Sequence, residues 1–147
     1  MTEGPGNNIW QRRLYLMKNK RYILIVLFIL TIAGSILGLR FYQELETYRK
    51  QVSEIEIFDI DLSEIPDGEY TGSYEVKLVS AEVKVLVKNH EIIDIILLSH
   101  HHGRGGAAEV IPDRVVEEQS LQVDMISGAT SSSKVILKAI ENAFKNR

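Results

Sequence analysis

Tyr22 to Leu39 reads YILIVLFILTIAGSILGL, eighteen residues without a charge, bracketed by Arg21 and Arg40. At a rise of about 1.5 Å per residue this run spans about 27 Å, close to the thickness of a bilayer's hydrocarbon core. Its predicted state is therefore one membrane-crossing helix. Gly34, Ser35 and Gly38 weaken a helix in water but are ordinary in lipid, where backbone hydrogen bonds must close within the helix. A cleaved signal peptide is the competing reading. The run is long for one, and no small-x-small pair precedes a polar start.

Basic residues resist translocation. Arg12, Arg13, Lys18, Lys20 and Arg21 precede the run, and Arg40, Arg49 and Lys50 follow it. The expected organisation is a cytoplasmic basic segment over 1–21, a transmembrane helix over 22–39, a juxtamembrane stalk and linker over 40–65, and an extracytoplasmic domain over 66–147. At 147 residues the chain has room for one ordinary domain but not two large ones. The absence of cysteine excludes disulfides, thiol catalysis, Cys-ligated zinc and iron–sulfur clusters. Residues 1–40 hold six Lys/Arg against one acid, and the remainder holds eleven against nineteen. An acidic body repels phosphate backbones, so nucleic acid is not the expected partner. Membrane lipid is.

Phe41, Leu45, Tyr48, Val52 and Ile55 follow a 4-3-4-3 spacing, which predicts one apolar face on a stalk helix. Two heptads are too few for a coiled coil. Beyond Pro66-Asp67-Gly68 the patterning predicts an α+β domain, a small antiparallel sheet with two helices. Tyr70, Gly72, Tyr74, Val76 and Leu78 alternate with polar residues as a half-buried strand does. Val83, Val85 and Val87 repeat the pattern, and Asn89-His90 tolerates the positive φ of a two-residue hairpin turn. Ile92–Leu98 is nearly all aliphatic, which predicts a strand covered on both faces. Pro112–Gln119 predicts a short helix with proline at its first position, Leu121–Met125 another short strand, and Ser131–Phe144 an amphipathic helix.

The segment Asp124-Met125-Ile126-Ser127-Gly128-Ala129-Thr130 leads into that last helix. Gly128 permits a tight backbone path, Ala129 adds little bulk, and Thr130 falls at or beside the N-cap with Ser131, Ser132 and Ser133 behind it. Free N–H groups and the positive helix end make such a place a phosphate site. Thr and Ser also cap helices with no ligand at all, so spacing alone leaves both readings open.

Asp124-x-x-Ser127-Gly128-Ala129-Thr130 resembles the flavinylation motif of FMN-binding domain proteins, which include the C and G subunits of sodium-pumping and Rnf-type electron-transport complexes. The resemblance extends to Asp67-Gly68-Glu69-Tyr70-Thr71-Gly72, to the hairpin over Val83–Ile96, and to Gln119-Ser120-Leu121-Gln122-Val123-Asp124. It covers about residues 66–145. It implies FMN as cofactor, held as a phosphoester on Thr130 and installed by a separate flavin transferase from FAD with magnesium. Ser127, Gly128 and Ala129 would then shape the backbone around the phosphate. Asp124 would be read by the transferase or orient the loop, pointing away from a phosphate its charge would repel. Ser131 is a second possible acceptor on the same turn.

His100-His101-His102-Gly103-Arg104-Gly105-Gly106 departs from the pattern expected of this family. His102 and Gly103, with Arg104, are placed near the flavin. His100 and His102 can share a strand face, but no further His or Cys stands ready as a third ligand, so no metal is expected. Tyr70 and Tyr74 read as packing residues. The resemblance implies a membrane-anchored carrier that passes electrons between unidentified redox partners rather than a freestanding oxidoreductase. The alternatives are a non-redox anchored binding module, in which the hydroxyl cluster is only a cap, and a reversible FMN binder without the ester.

Overall fold

A computed structural model describes the backbone of residues 8–145 and the side chains of residues 20–145. Residues 1–7 of the basic segment, and the side chains of Arg12, Arg13 and Lys18, lie outside the described residues. The chain divides into two compact units between Leu45 and Glu46.

Helix α1 (Asn8–Ser53) runs for 46 residues. From Lys20 onward it is long and apolar enough to cross a membrane, with a mean hydropathy of 2.6 and none of its apolar window buried. The hydroxyls of Thr31 and Ser35 donate to Phe28 O and Thr31 O, both at 2.8 Å, so these polar groups are satisfied inside the helix.

The second unit holds a three-stranded antiparallel sheet in the order β1-β2-β3: β1 (Gly68–Val76), β2 (Val79–Lys88) and β3 (Glu91–His101). Helices α2 (Ile111–Glu118) and α3 (Thr130–Lys145) complete the α+β fold. Helix α3 lies on β1 and β2, closing Val135, Ile136, Ala139 and Ile140 over Val83, Val85 and Val87, all essentially inaccessible. Each buried valine and isoleucine among them contributes about 1.5–3 kcal/mol of apolar burial. Asn89 and His90 adopt φ of 54° and 64°, the left-handed pair that a tight hairpin requires, and Asp67 Oδ1 accepts the Asn89 N–H at 2.7 Å.

Two expectations are corrected. The Ile92–Leu98 strand is not covered on both faces: Ile93, Ile96 and Leu98 are 46–49% exposed. Asp94 pairs with Leu86 but Ile92 with Val87, and Ser99 with Glu82 but Leu97 with Val83, so Ile93 and Leu98 are extra residues at two bulges. The bulges reset the alternation and place Ile92, Ile95, Leu97 and His100 inward. The second correction concerns Leu121–Met125, which forms no strand. Its backbone is bonded by side chains instead. Asp59 Oδ1 accepts the Leu121 N–H at 2.9 Å, and Ser120 Oγ accepts the Gln122 N–H at 3.0 Å. Gln119, left-handed at the end of α2, donates to Ile92 O and accepts from Ile92 N–H, both at 2.8 Å. It closes the β3 edge as a paired strand would.

Residues 54–65 cross beside α3 without regular strand, contributing Ile55 and Ile65 to the core, while Tyr48 and Val52 pack against it. Lys134 donates to Val52 O and Ile55 O at 3.1 and 3.2 Å, capping the end of α1. Lys138 donates to Glu56 O at 2.8 Å. Glu141, 1% exposed, accepts from Lys138 at 2.8 Å, from the Phe58 N–H at 3.3 Å and from Lys145. Burial pushes its carboxyl up, but the two ammonium groups and the amide outweigh burial and hold it below the usual carboxylate range. A group lowered in the folded state stabilises above its unfolded pKa, and that contribution is lost as pH falls through the folded value. Glu141→Gln is expected to cost about 1–3 kcal/mol at neutral pH. Denaturant titration of the full chain in detergent should show the gap to wild type narrowing below about pH 4. A gap independent of pH contradicts the ionised assignment.

Candidate flavin site

The start of α3 is built by a turn that only part of the motif can make. Ala129 N–H donates to Ile126 O at 2.9 Å, closing a four-residue turn with Ser127 and Gly128 at its centre. Gly128 has φ +79°, the value a type II turn requires at its third position and that L side chains resist. Ala129 then serves as the N-cap, its carbonyl taking the Ser133 N–H at 2.9 Å. Ser133 Oγ donates to Ala129 O and accepts the Ile126 N–H, each at 3.1 Å. A fully buried serine thus fastens both ends of the turn, and Thr130 is released from capping. It opens the helix as an exposed side chain, and the amides of Thr130, Ser131 and Ser132 have no carbonyl one turn back to accept them.

Those residues line a cavity of about 550 Å³, within the range of small-molecule sites. Gly128, Ala129, Thr130, Ser131 and Ser132 form one side. Gly103, Arg104 and Gly105 form the second, and Leu78, Val79 and Tyr48 the third. The second wall comes close because Gly105 has no side chain: a Cβ there would stand 1.9 Å from Ser132 Oγ. A Cβ on Gly128 would meet nothing within 4 Å, so the backbone beside Thr130 is bare toward open space. Arg104 supplies a cation, no acidic side chain among the described residues lines the cavity, and the helix start adds its partial positive charge. This arrangement accepts an anion at the Thr130 end and an apolar, flat group against Leu78 and Tyr48.

The fold therefore brings Thr130, Ser131, Gly128, Ala129 and Gly103 together. Ser127 sits in the turn but does not line the cavity. Asp124 is exposed and also stands outside it; its carbonyl accepts from Arg114 at 3.2 Å. His102 is not among the lining residues; its ring lies against Gly106 and near Glu109. Tyr48 and Leu78 carry roles that sequence spacing did not show. Leu78 reads as the end of an alternating strand but occupies the two-residue β1–β2 turn, 57% exposed. An apolar residue in a tight turn was the available signal.

A cavity with an anion-accepting helix start, an unpaired hydroxyl and an apolar wall defines a small α+β ligand-binding domain. The chain belongs to the FMN-binding domain family, which it matches over residues 25–145. It is also similar to the NADH:acrylate oxidoreductase of Vibrio harveyi, 35% identical over 79 residues. That stretch is 52% of this chain and 8% of the relative, so the chain spans only a small part of that protein's length.

Proposed function

We propose that this chain is a membrane-anchored electron carrier whose extracytoplasmic domain holds FMN as a phosphoester on Thr130. The observation that carries this reading is the position of Thr130: exposed, at the first turn of α3, beside a cavity lined by Arg104 and bare backbone. FMN fits the residues present. Arg104 and the amides of residues 130–132 match a phosphate, which carries one negative charge once it is esterified to Thr130, and Leu78 and Tyr48 offer the apolar surface a tricyclic ring needs. When bound, FMN supplies one- and two-electron redox chemistry. The chain's part is to hold, orient and shield it.

Attachment is the work of a flavin transferase acting on FAD. A bond forms between Thr130 Oγ and the flavin-side phosphorus, the pyrophosphate linkage breaks, AMP leaves, and the threonine hydroxyl proton is given up. Ser127 and Gly128 keep the acceptor accessible, and Asp124, outside the cavity, is free to meet the transferase. An ester bond keeps the cofactor where free FMN is not replenished, and α1 keeps the domain near membrane redox partners. Five basic residues before the apolar run against three after it support a cytoplasmic N-terminus. The similarity to an NADH:acrylate oxidoreductase accords with redox work by a module of this kind.

The test is co-expression of the full chain with a flavin transferase, followed by denaturation and intact-mass measurement. The expected product is yellow after denaturation and heavier by one FMN less one water. Flavin released on denaturation overturns the ester, and a colourless protein that ignores added FMN overturns the carrier reading.

A further inference from the structure

We infer that His100, His102 and Glu109 form a divalent metal site at the far end of β3, separate from the cavity lining. Among the described residues these three place one ligand atom each within 4.8 Å of one another. His100 Nδ1 stands 3.1 Å and His102 Nε2 3.5 Å from the same Glu109 oxygen, Oε1. A tetrahedral ion with metal–ligand bonds of about 2.0–2.1 Å has ligand–ligand edges of about 3.3–3.4 Å, so the two edges to the carboxylate fall just below and just above that length.

The bulge at Leu98 turns His100 inward, where its side chain is 2% exposed. The two imidazoles lie side by side, ring centroids 4.4 Å apart and planes tilted by 33°. Gly106 makes room for the second ring: a Cβ there would stand 3.0 Å from His102 Cε1. As a hydrogen-bond network the cluster is poorly made. Two ring nitrogens share one oxygen, while His100 Nε2 and His102 Nδ1 are buried with no hydrogen-bond partner among the described residues. As a ligand set it is coherent, because one nitrogen of each ring and the carboxylate lie within 4.8 Å of one another.

Two imidazoles and a carboxylate suit zinc and its neighbours among late first-row ions rather than magnesium or calcium. His102 and Glu109 are 28% and 51% exposed, so water reaches the fourth position and the site is open rather than closed. Ligation leaves each ring's proton on its partnerless nitrogen, without the outer acceptor that usually strengthens such ligands. Affinity should accordingly fall short of that of a closed structural zinc site.

Isothermal titration of zinc chloride into the full chain, in detergent and free of any histidine tag, tests the site. One saturable equivalent is expected. His102→Ala and Glu109→Gln should each weaken it by at least the roughly 10–100-fold that loss of a supporting partner alone costs, whereas His101→Ala, exposed on the opposite strand face, should leave it unchanged. Glu109 is a surface residue, so its variant reports on ligation with the fold intact. Absence of saturable uptake by wild type overturns the assignment, and so does uptake that survives in both His102→Ala and Glu109→Gln. No flavin atom enters this ligand set, so either failure leaves the flavin assignment standing.

Discussion

Replacing Thr130 with alanine is expected to give a folded protein that carries no covalently held flavin. The fold should tolerate the change because Thr130 makes none of the contacts that start α3. Ala129 is the N-cap, and Ser133 fastens the turn through Ile126 and Ala129. Thr130 itself is exposed, and surface changes of this kind stay within about 0.5 kcal/mol. The proposed acceptor oxygen, in contrast, is lost outright. Ser131 also lines the cavity, but one residue along a helix is a rotation of about 100°, which aims its hydroxyl elsewhere than Thr130 Oγ. Intact mass after co-expression with the transferase should therefore read unmodified for Thr130→Ala and modified for Thr130→Ser. Full flavinylation of the alanine variant would sink the assignment, and peptide mapping would then locate the true acceptor. Noncovalent FMN uptake by the alanine variant is the finer measure. The cavity, Arg104 and the free amides all persist, so reversible binding should survive while retention through denaturation does not.

What the sequence exposes of this site, and what it hides, follows from the range of the interactions involved. The turn at Ser127-Gly128-Ala129 is local: a glycine that needs positive φ, a small residue and a run of hydroxyls are adjacent in the chain and build one object. The opposite wall is assembled from Tyr48 and Leu78, 82 and 52 positions before Thr130, and only tertiary packing brings the last turns of α1 and the β1–β2 turn to the start of α3. Periodicity misled where backbone irregularity intervened. An aliphatic run such as Ile92–Leu98 reads as doubly buried because two bulges send Ile93, Ile96 and Leu98 outward without any polar residue marking them. In Leu121–Met125 the side chains suit a strand, yet Asp59 and Ser120 occupy the amides a ladder would use. Lys134, Lys138 and Glu141 read as the wet face of an amphipathic helix. They prove to hold the segment between α1 and the sheet, because their partners are carbonyls and an amide, which composition cannot reveal. Glu109 escaped notice as a partner of the histidines for the same reason: it reaches them by a loop closure, not by spacing.

Gly72→Ala is expected to damage the fold more than any other single-methyl change considered. Helix α3 crosses β1 directly over this residue, and an added Cβ would stand 2.2 Å from Ala139 O, 2.3 Å from Ala143 N and 2.7 Å from Ala143 Cα. All three are helix backbone, so no side-chain rotation relieves the overlap. Either α3 lifts off the sheet or β1 leaves it. Overpacking a core commonly costs about 1–3 kcal/mol and more where backbone must move, a large part of the roughly 5–15 kcal/mol that holds a domain together. Gly68→Ala in the same strand is the matched comparison, since its Cβ would meet only the Tyr70 ring, at 3.7 Å or more, which is ordinary contact. Thermal unfolding of the two full-length variants in detergent should separate them clearly, with Gly68→Ala close to wild type and Gly72→Ala far lower or failing to accumulate. The consequence reaches the site, because α3 carries Thr130 while β1 runs into the turn that presents Leu78. Any Gly72→Ala protein that accumulates should therefore also be flavinylated less completely than Gly68→Ala under the same transferase. Equal stability of the two variants would mean that the close crossing of β1 and α3 does not set the position of the helix.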